Sequence, residues 1–140
     1  MSINVFKGQY RFLSNFEGPQ IEVEGLCYKT LEAAFQAAKT TNRAEKLYIQ
    51  SLLTPGQAKR AGRKVTLRPD WETIKIAVME ALLRQKFTQA PWCEWLLATG
   101  DEELIEGNTW GDIFWGVYKG VGENHLGILL MKIRSELETA

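Results

Sequence analysis

The chain has 140 residues, 45% hydrophobic and 24% charged, which is the make-up of one soluble globular domain able to close a core without metals or disulfides. Lysine plus arginine equals aspartate plus glutamate, 17 against 17, which excludes an overall basic footprint for indiscriminate nucleic-acid binding. One histidine, His125, and two isolated cysteines, Cys27 and Cys93, argue against Ser-His-Asp or Cys-His catalysis, a histidine-based zinc site and a disulfide framework.

Both cysteines are expected as buried free thiols. No apolar run of signal-peptide type and no stretch of about 18 apolar residues occurs, so a cytoplasmic protein without a membrane segment is expected. Val5-Phe6 and Tyr10 to Leu13 read as the first strands, with Ser14-Asn15 interrupting them in the stretch FLSNF. Ile21 and Val23 alternate with charge, Glu24-Gly25 is a turn signal, and Leu26 to Tyr28 returns as a hairpin. Thr30 to Lys39 predicts a short helix with Thr30 as N-cap and Glu32 in the first turn. A second helix is expected over about 44–53, and a third, after Pro55-Gly56, over 57–61. Lys59, Arg60, Arg63, Lys64 and Arg68 then place five cations in ten residues without an acid. They read either as a solvated helix end or as a phosphate-binding patch.

Asp70 is the expected N-cap of the longest helix, Trp71 to Phe87, whose apolar residues predict a central position covered on several sides. Pro91 opens a short helix carrying Trp92, Trp95 and Leu96, and Gly100 stops it. A short strand over 102–106 feeds GNTWGDIFWG, residues 107–116, and a last helix runs from about Glu123 to Leu137. With no repeat, linker or low-complexity tract, the expectation is a single domain over 1–140. Its class is predominantly helical α+β with a small N-terminal β element.

Two stretches carry candidate chemistry. Glu32, Gln36 and Lys39 follow an i, i+4, i+7 spacing, which puts an acid, an amide and an amine on one stripe of a mostly apolar helix. The stripe is either the solvent edge of an amphipathic helix or the wall of a pocket. The second stretch, 106–116, combines Glu106, Asn108 and Asp112 with Trp110, Phe114, Trp115 and three glycines. Aromatic faces there can stack on a flat heterocycle or simply plug the core. Free N–H groups at GVGEN, where the last helix begins, are a weaker candidate for holding a phosphate. Together these residues suit cleavage of an N-glycosidic bond. Such a cleavage needs a carboxylate near the anomeric carbon, a proton donor for the leaving base and an aromatic shelf. Nothing points to a redox cofactor, pyridoxal phosphate or a metal.

The same residues carry a family resemblance. FLSNF, then Gly25-x-x-Tyr28-x-Thr30-x-Glu32 and Phe35-Gln36-x-x-Lys39, resemble the N-terminal signature of the NADAR, or YbiA-like, family. Gly62-Arg63, Arg68-x-Asp70-Trp71 and Lys86-Phe87 match its middle. LIEGNTWGDIFWG and Gly122-x-Asn124-x-Leu126-Gly127-x-x-Leu130-Met131-x-x-Arg134 match its C-terminal part. The resemblance implies an N-glycosidase acting on ribosyl compounds; with one histidine and two unpaired cysteines, metal-independent activity is expected, with no cofactor and no obligate protein partner. Two activities are known in the family. One destroys N-ribosyl intermediates of riboflavin synthesis, and the other removes ADP-ribose from modified guanine in nucleic acid through a lysine Schiff base.

On this chain the resemblance puts the lysine role on Lys39, with Glu32 and Asp112 as acid and base. Ser14, Asn15, Phe16, Gln36, Arg63, Asn108, Trp110, Gly111, Trp115 and Asn124 form the expected substrate-binding set. Riboflavin-type members often follow WGD with glycines and polar residues. Here Ile113, Phe114 and Trp115 follow it, which tilts the expectation toward an ADP-ribosyl substrate. The competing class is a module that binds ADP-ribose or a nucleotide without cleaving it.

Overall fold

Six α-helices, one 3₁₀ helix and three two-stranded β-ladders make up the chain in the computed structural model, which describes residues 1–140. In chain order they are β1 (Ser2–Ile3), the 3₁₀ helix (Gly8–Leu13), β2 (Ile21–Val23), β3 (Leu26–Tyr28), α1 (Leu31–Ala37), α2 (Arg43–Ser51) and α3 (Pro55–Gly62). There follow α4 (Trp71–Phe87), α5 (Trp92–Leu97), β4 (Glu103–Leu104), β5 (Gly107–Asn108), β6 (Val117–Tyr118) and α6 (His125–Glu138). The class is the predominantly helical α+β one. The chain divides into two compact units, residues 15–86 and residues 1–14 with 87–140.

In the unit of residues 15–86, β2 and β3 form the expected antiparallel hairpin, with Ile21 opposite Tyr28 and Val23 opposite Leu26. Glu24 and Gly25 turn it at φ 52° and 81°, the positive values that two-residue hairpin turns require. Three helices start on side-chain caps. The Thr30 hydroxyl accepts from Ala33 N–H at 3.2 Å, and Asn42 Oδ1 accepts from Glu45 N–H at 3.1 Å. Thr54 and Gln57 cap α3 reciprocally, with Pro55 at its first position. Every residue of α1 is buried, and α1 packs against α2, α3 and the hairpin. Helix α1 is therefore the core of this unit.

Helix α4 differs from expectation twice. The Asp70 carboxylate does not cap it but takes a bidentate pair from the Arg68 guanidinium, at 2.7 and 3.1 Å. The helix is also covered less fully than its composition predicts. Trp71, Met79, Leu82 and Leu83 are buried, while Ile76 is 36% exposed and Ala77 and Ala81 face out. Alanine there serves helix propensity rather than burial.

In the other unit, β1 pairs in parallel with β4, Ile3 opposite Leu104. The strand expected at Tyr10 to Leu13 is instead the 3₁₀ helix. Gly8 turns the chain at φ +59°, Tyr10 N–H donates to Lys7 C=O, and Phe12 packs on Trp95 with ring centroids 5.7 Å apart. Gly100, at φ +66°, ends the α5 segment as expected. Helix α6 buries Leu126, Leu129, Leu130 and Ile133. Buried Arg134 donates to Thr99 Oγ1 at 2.8 Å. The β structure is thus not confined to the N-terminus, since β4, β5 and β6 lie in the last third of the chain. Cys27 and Cys93 are free, but Cys27 is exposed because it faces outward on β3 between buried Leu26 and Tyr28.

Candidate functional site

Residues of α1 and the segments around it make a polar cluster inside an apolar unit. Glu32 and Gln36, 8% and 5% exposed, both lie on the buried helix. One turn apart, they meet as the spacing predicts, and Gln36 Nε2 donates to Glu32 Oε2 at 2.5 Å. The Glu32 backbone N–H donates to Asn15 C=O at 3.1 Å, which ties the FLSNF segment to the start of α1. Asn15 is itself buried, with its amide nitrogen 3.5 Å from the Met79 sulfur. This burial decides against the solvent-edge reading of the stripe.

Lys39 lies just past the C-terminus of α1, half-buried, and its amine makes no hydrogen bond or ion pair. Burial pushes its pKa below the ordinary lysine value; Glu32 opposes this, while Arg63, Lys59 and Lys75 add to the lowering. An amine so placed is more readily neutral, and thus more nucleophilic, than a solvated one. The basic run is therefore not only a solvated helix end, because Lys59 and Arg63 act electrostatically on Lys39. Lys59 also lies over the half-exposed Phe16 ring, 6.0 Å from its centroid.

The candidates of the other unit are held differently. Asn108 spends both ends of its amide closing its own loop. Nδ2 donates to Asp112 C=O at 2.8 Å, and Oδ1 accepts from Asp112 N–H at 3.0 Å. Asp112 Oδ1 accepts from the N–H groups of Phe114 and Trp115 at 3.0 and 2.9 Å, and Gly111 turns the loop at φ +87°. Asn124 accepts from Glu106 N–H at 3.0 Å and donates to Leu104 C=O at 2.9 Å. Ser14 closes the 3₁₀ helix by donating its N–H to Arg11 C=O. These polar groups serve the local backbone.

The phosphate reading of GVGEN fails for the same reason. The N–H groups of Glu123, Asn124, His125 and Leu126 donate to the carbonyls of Ile113, Gly116, Phe114 and Trp115. Phe114 packs edge-on against Trp115 at 4.8 Å and tilted against His125 at 4.4 Å. The aromatic step after WGD is thus engaged in packing of its own. Trp110 is 57% exposed on the rim of a groove of about 380 Å³ that Lys7 and Lys119 also line.

Two features escaped sequence reasoning. Lys75 reaches the field of Lys39 from α4, a proximity that no local spacing reveals. Lys86 is fully buried and donates to Glu17 C=O at 3.2 Å, one residue past FLSNF; burial lowers its pKa to about 7 against the pull of Glu17. The sequence marks Lys86 only through the Lys86-Phe87 match to the family and gives no sign of its burial. No helix is long and apolar enough to cross a membrane, and no three His, Cys, Asp or Glu side chains gather as metal ligands.

Residues 4–138 match the family model described as NADAR domain, a span that runs through both units. The chain is 39% identical over 132 residues to "N-glycosidase YbiA" of Escherichia coli (strain K12), covering 91% of this chain and 82% of that protein. It is 38% identical over 131 residues to "Riboflavin biosynthesis protein VVA0006" of Vibrio vulnificus (strain YJ016), covering 91% of this chain and 35% of that protein. Among solved structures, the NMR structure of the E. coli protein YbiA is similar at TM-score 0.85 and 36% identity, over 99% of this chain and 84% of that one.

Proposed function

The chain belongs to the NADAR family and is an N-glycosidase, and from that premise we propose that it removes ADP-ribose from ADP-ribosylated guanine. The observation that carries this reading is Lys39, a half-buried amine with lowered pKa and no partner of its own, in the field of both Glu32 and a group of cations. A module that only bound its ligand would gain nothing from weakening the charge of its lysine. Several cations near that amine suit a diphosphate better than a single phosphate.

The proposed chemistry first opens the sugar ring: the C1–O bond breaks, the ring oxygen takes a proton, and C1 becomes doubly bonded to the base nitrogen. The neutral Lys39 amine bonds to its C1, the C1–N bond to the base breaks, and the base leaves with a proton that Glu32 relays. Water then adds to the lysine imine. The amine is expelled, and the freed C1 aldehyde recloses with its own hydroxyl. Gln36 holds the Glu32 carboxylate, Asn15 holds the backbone of Glu32, and Phe16 and Arg63 are the proposed substrate contacts of this unit. Trp110 is proposed as a stacking face, with Lys7 and Lys119 beside it. Asp112, Asn108, Gly111 and Asn124 are assigned to loop architecture instead of chemistry.

A second reading takes an N-ribosyl intermediate of riboflavin synthesis as substrate. The name of the Vibrio vulnificus relative favours it. Product analysis by mass spectrometry separates the two. Incubation with ADP-ribosylated guanosine and with a ribosylaminopyrimidine phosphate should release free ADP-ribose and guanosine from the first. Turnover of the pyrimidine alone would overturn the ADP-ribose assignment.

A further inference from the structure

Gln36 is an unusual residue to find 5% exposed in the middle of a core helix. Its Nε2 is spent on Glu32, but its Oε1 is buried and accepts from nothing. A buried acceptor without a donor is costly, and its presence calls for a compensating role. What lies against that amide is Gly62, the last residue of α3 and itself buried. A Cβ built on Gly62 would overlap Gln36 Oε1, and would lie 2.6 Å from Gln36 Cδ and 3.0 Å from Gln36 Cβ. The Gly62 backbone needs no left-handed conformation, so its lack of a side chain answers to this contact and not to φ.

We propose that Gly62 is a positioning residue, whose bare Cα is the seat that holds the Gln36 amide against Glu32. The proposal deepens the reading of Glu32 as the working carboxylate and rests on it. A methyl group at position 62 overlaps the amide end of a flexible side chain, so the amide must swing away, while the 3.0 Å approach to Gln36 Cβ asks only a small shift of α3 against α1. The Glu32 carboxylate then loses the Gln36 donor.

The test is a cycle of Gly62→Ala, Gln36→Ala and the double variant, read by steady-state kinetics and by the side-chain amide peaks in a ¹H–¹⁵N spectrum. Gln36→Ala identifies the Gln36 pair by its disappearance. In Gly62→Ala that pair should move while the backbone peaks away from α1 and α3 stay. kcat should fall about 10- to 100-fold, the range of a lost hydrogen bond to a charged group, with KM within about twofold. The double variant should be little slower than Gln36→Ala, because the amide is gone and only the 3.0 Å Cβ contact is left. If Gly62→Ala fails to fold and the double variant folds, the seat is equally supported.

An unmoved Gln36 amide pair in a folded Gly62→Ala would overturn the proposal. So would the same fold-loss in both backgrounds, or misfolding of both variants, since each makes Gly62 a packing residue of α3. Full activity in Glu32→Gln would instead overturn the catalytic reading, while the amide peaks still report on the seat.

Discussion

Lys86 should make the stability of this protein depend on pH in a range where few proteins gain. The residue is 0% exposed, and burial lowers its pKa to about 7, whereas the unfolded chain holds the proton up to the ordinary lysine value of 10.5. Between those values the unfolded state binds more protons than the folded one, so stability rises with pH across that window. Above 10.5 neither state binds the proton and the penalty vanishes; below about 7 both bind it and the penalty is full and constant. Each pKa unit is worth about 1.4 kcal/mol, so the gain from pH 7 to pH 10 is about 3–4 kcal/mol. Lys86→Met removes the titration while filling similar space. It leaves the Glu17 carbonyl without this donor, a loss of about 1–3 kcal/mol that does not vary with pH. Urea unfolding of both proteins at pH 7, 8, 9 and 10 isolates the effect, because every other titrating group cancels in the difference. Relative to the variant, the wild type should gain about 3–4 kcal/mol over the series. A difference flat to within about 1 kcal/mol would show that the folded protein keeps Lys86 charged, and the account of its burial would be wrong.

Three further outcomes concern the site. Lys39→Arg keeps the charge but not the nucleophile, so kcat should fall by about 10²-fold or more, and borohydride added during turnover should trap an adduct on Lys39 of the wild type alone. Substantial activity in the variant with no trapped adduct would leave Lys39 an electrostatic role only. Arg63→Ala should raise KM for a phosphorylated substrate about two- to fivefold, with a smaller fall in kcat because Lys39 loses one of the cations that lower its pKa, and an unchanged KM would remove Arg63 from the substrate contacts. Trp110→Ala should weaken substrate binding by about 1–3 kcal/mol in a titration while leaving the melting temperature near that of the wild type; unfolding would mark the ring as a core plug.

The parts legible in the sequence are those decided by neighbours a few residues apart. Thr30, Asn42 and Thr54-Pro55 mark helix starts because a cap is a local bond, and Glu24-Gly25 marks the hairpin because its turn needs positive φ. The Glu32–Gln36 contact follows from helical spacing alone. Where a distant partner decides, the pattern misleads. Tyr10 to Leu13 has the residues of a strand, but the ladder at that end of the chain belongs to Ser2–Ile3, whose partner lies about a hundred residues away at Glu103–Leu104. Asn108, Asp112 and Asn124 read as ligand groups because composition does not say whether a polar side chain faces a substrate or its own backbone. All three face the backbone. The cap expected of Asp70 was lost to Arg68, a stronger local competitor two residues away.

The saturated start of α6 also fixes where this chain tolerates a change in length. The amides of residues 123–126 are matched one by one to carbonyls of residues 113–116, so a residue added between Gly122 and Asn124 would put that whole row out of step. The segment leading into it behaves otherwise. Tyr118 and Val121 exchange backbone hydrogen bonds at 2.8 and 3.0 Å, and the exposed pair between them, Lys119-Gly120, turns at φ 50° and 79°. That tip is a hairpin end whose closing bonds lie outside the turn itself. A spectroscopic tag, an epitope or a flexible tether spliced between Lys119 and Gly120 therefore lengthens the loop without shifting the register of α6.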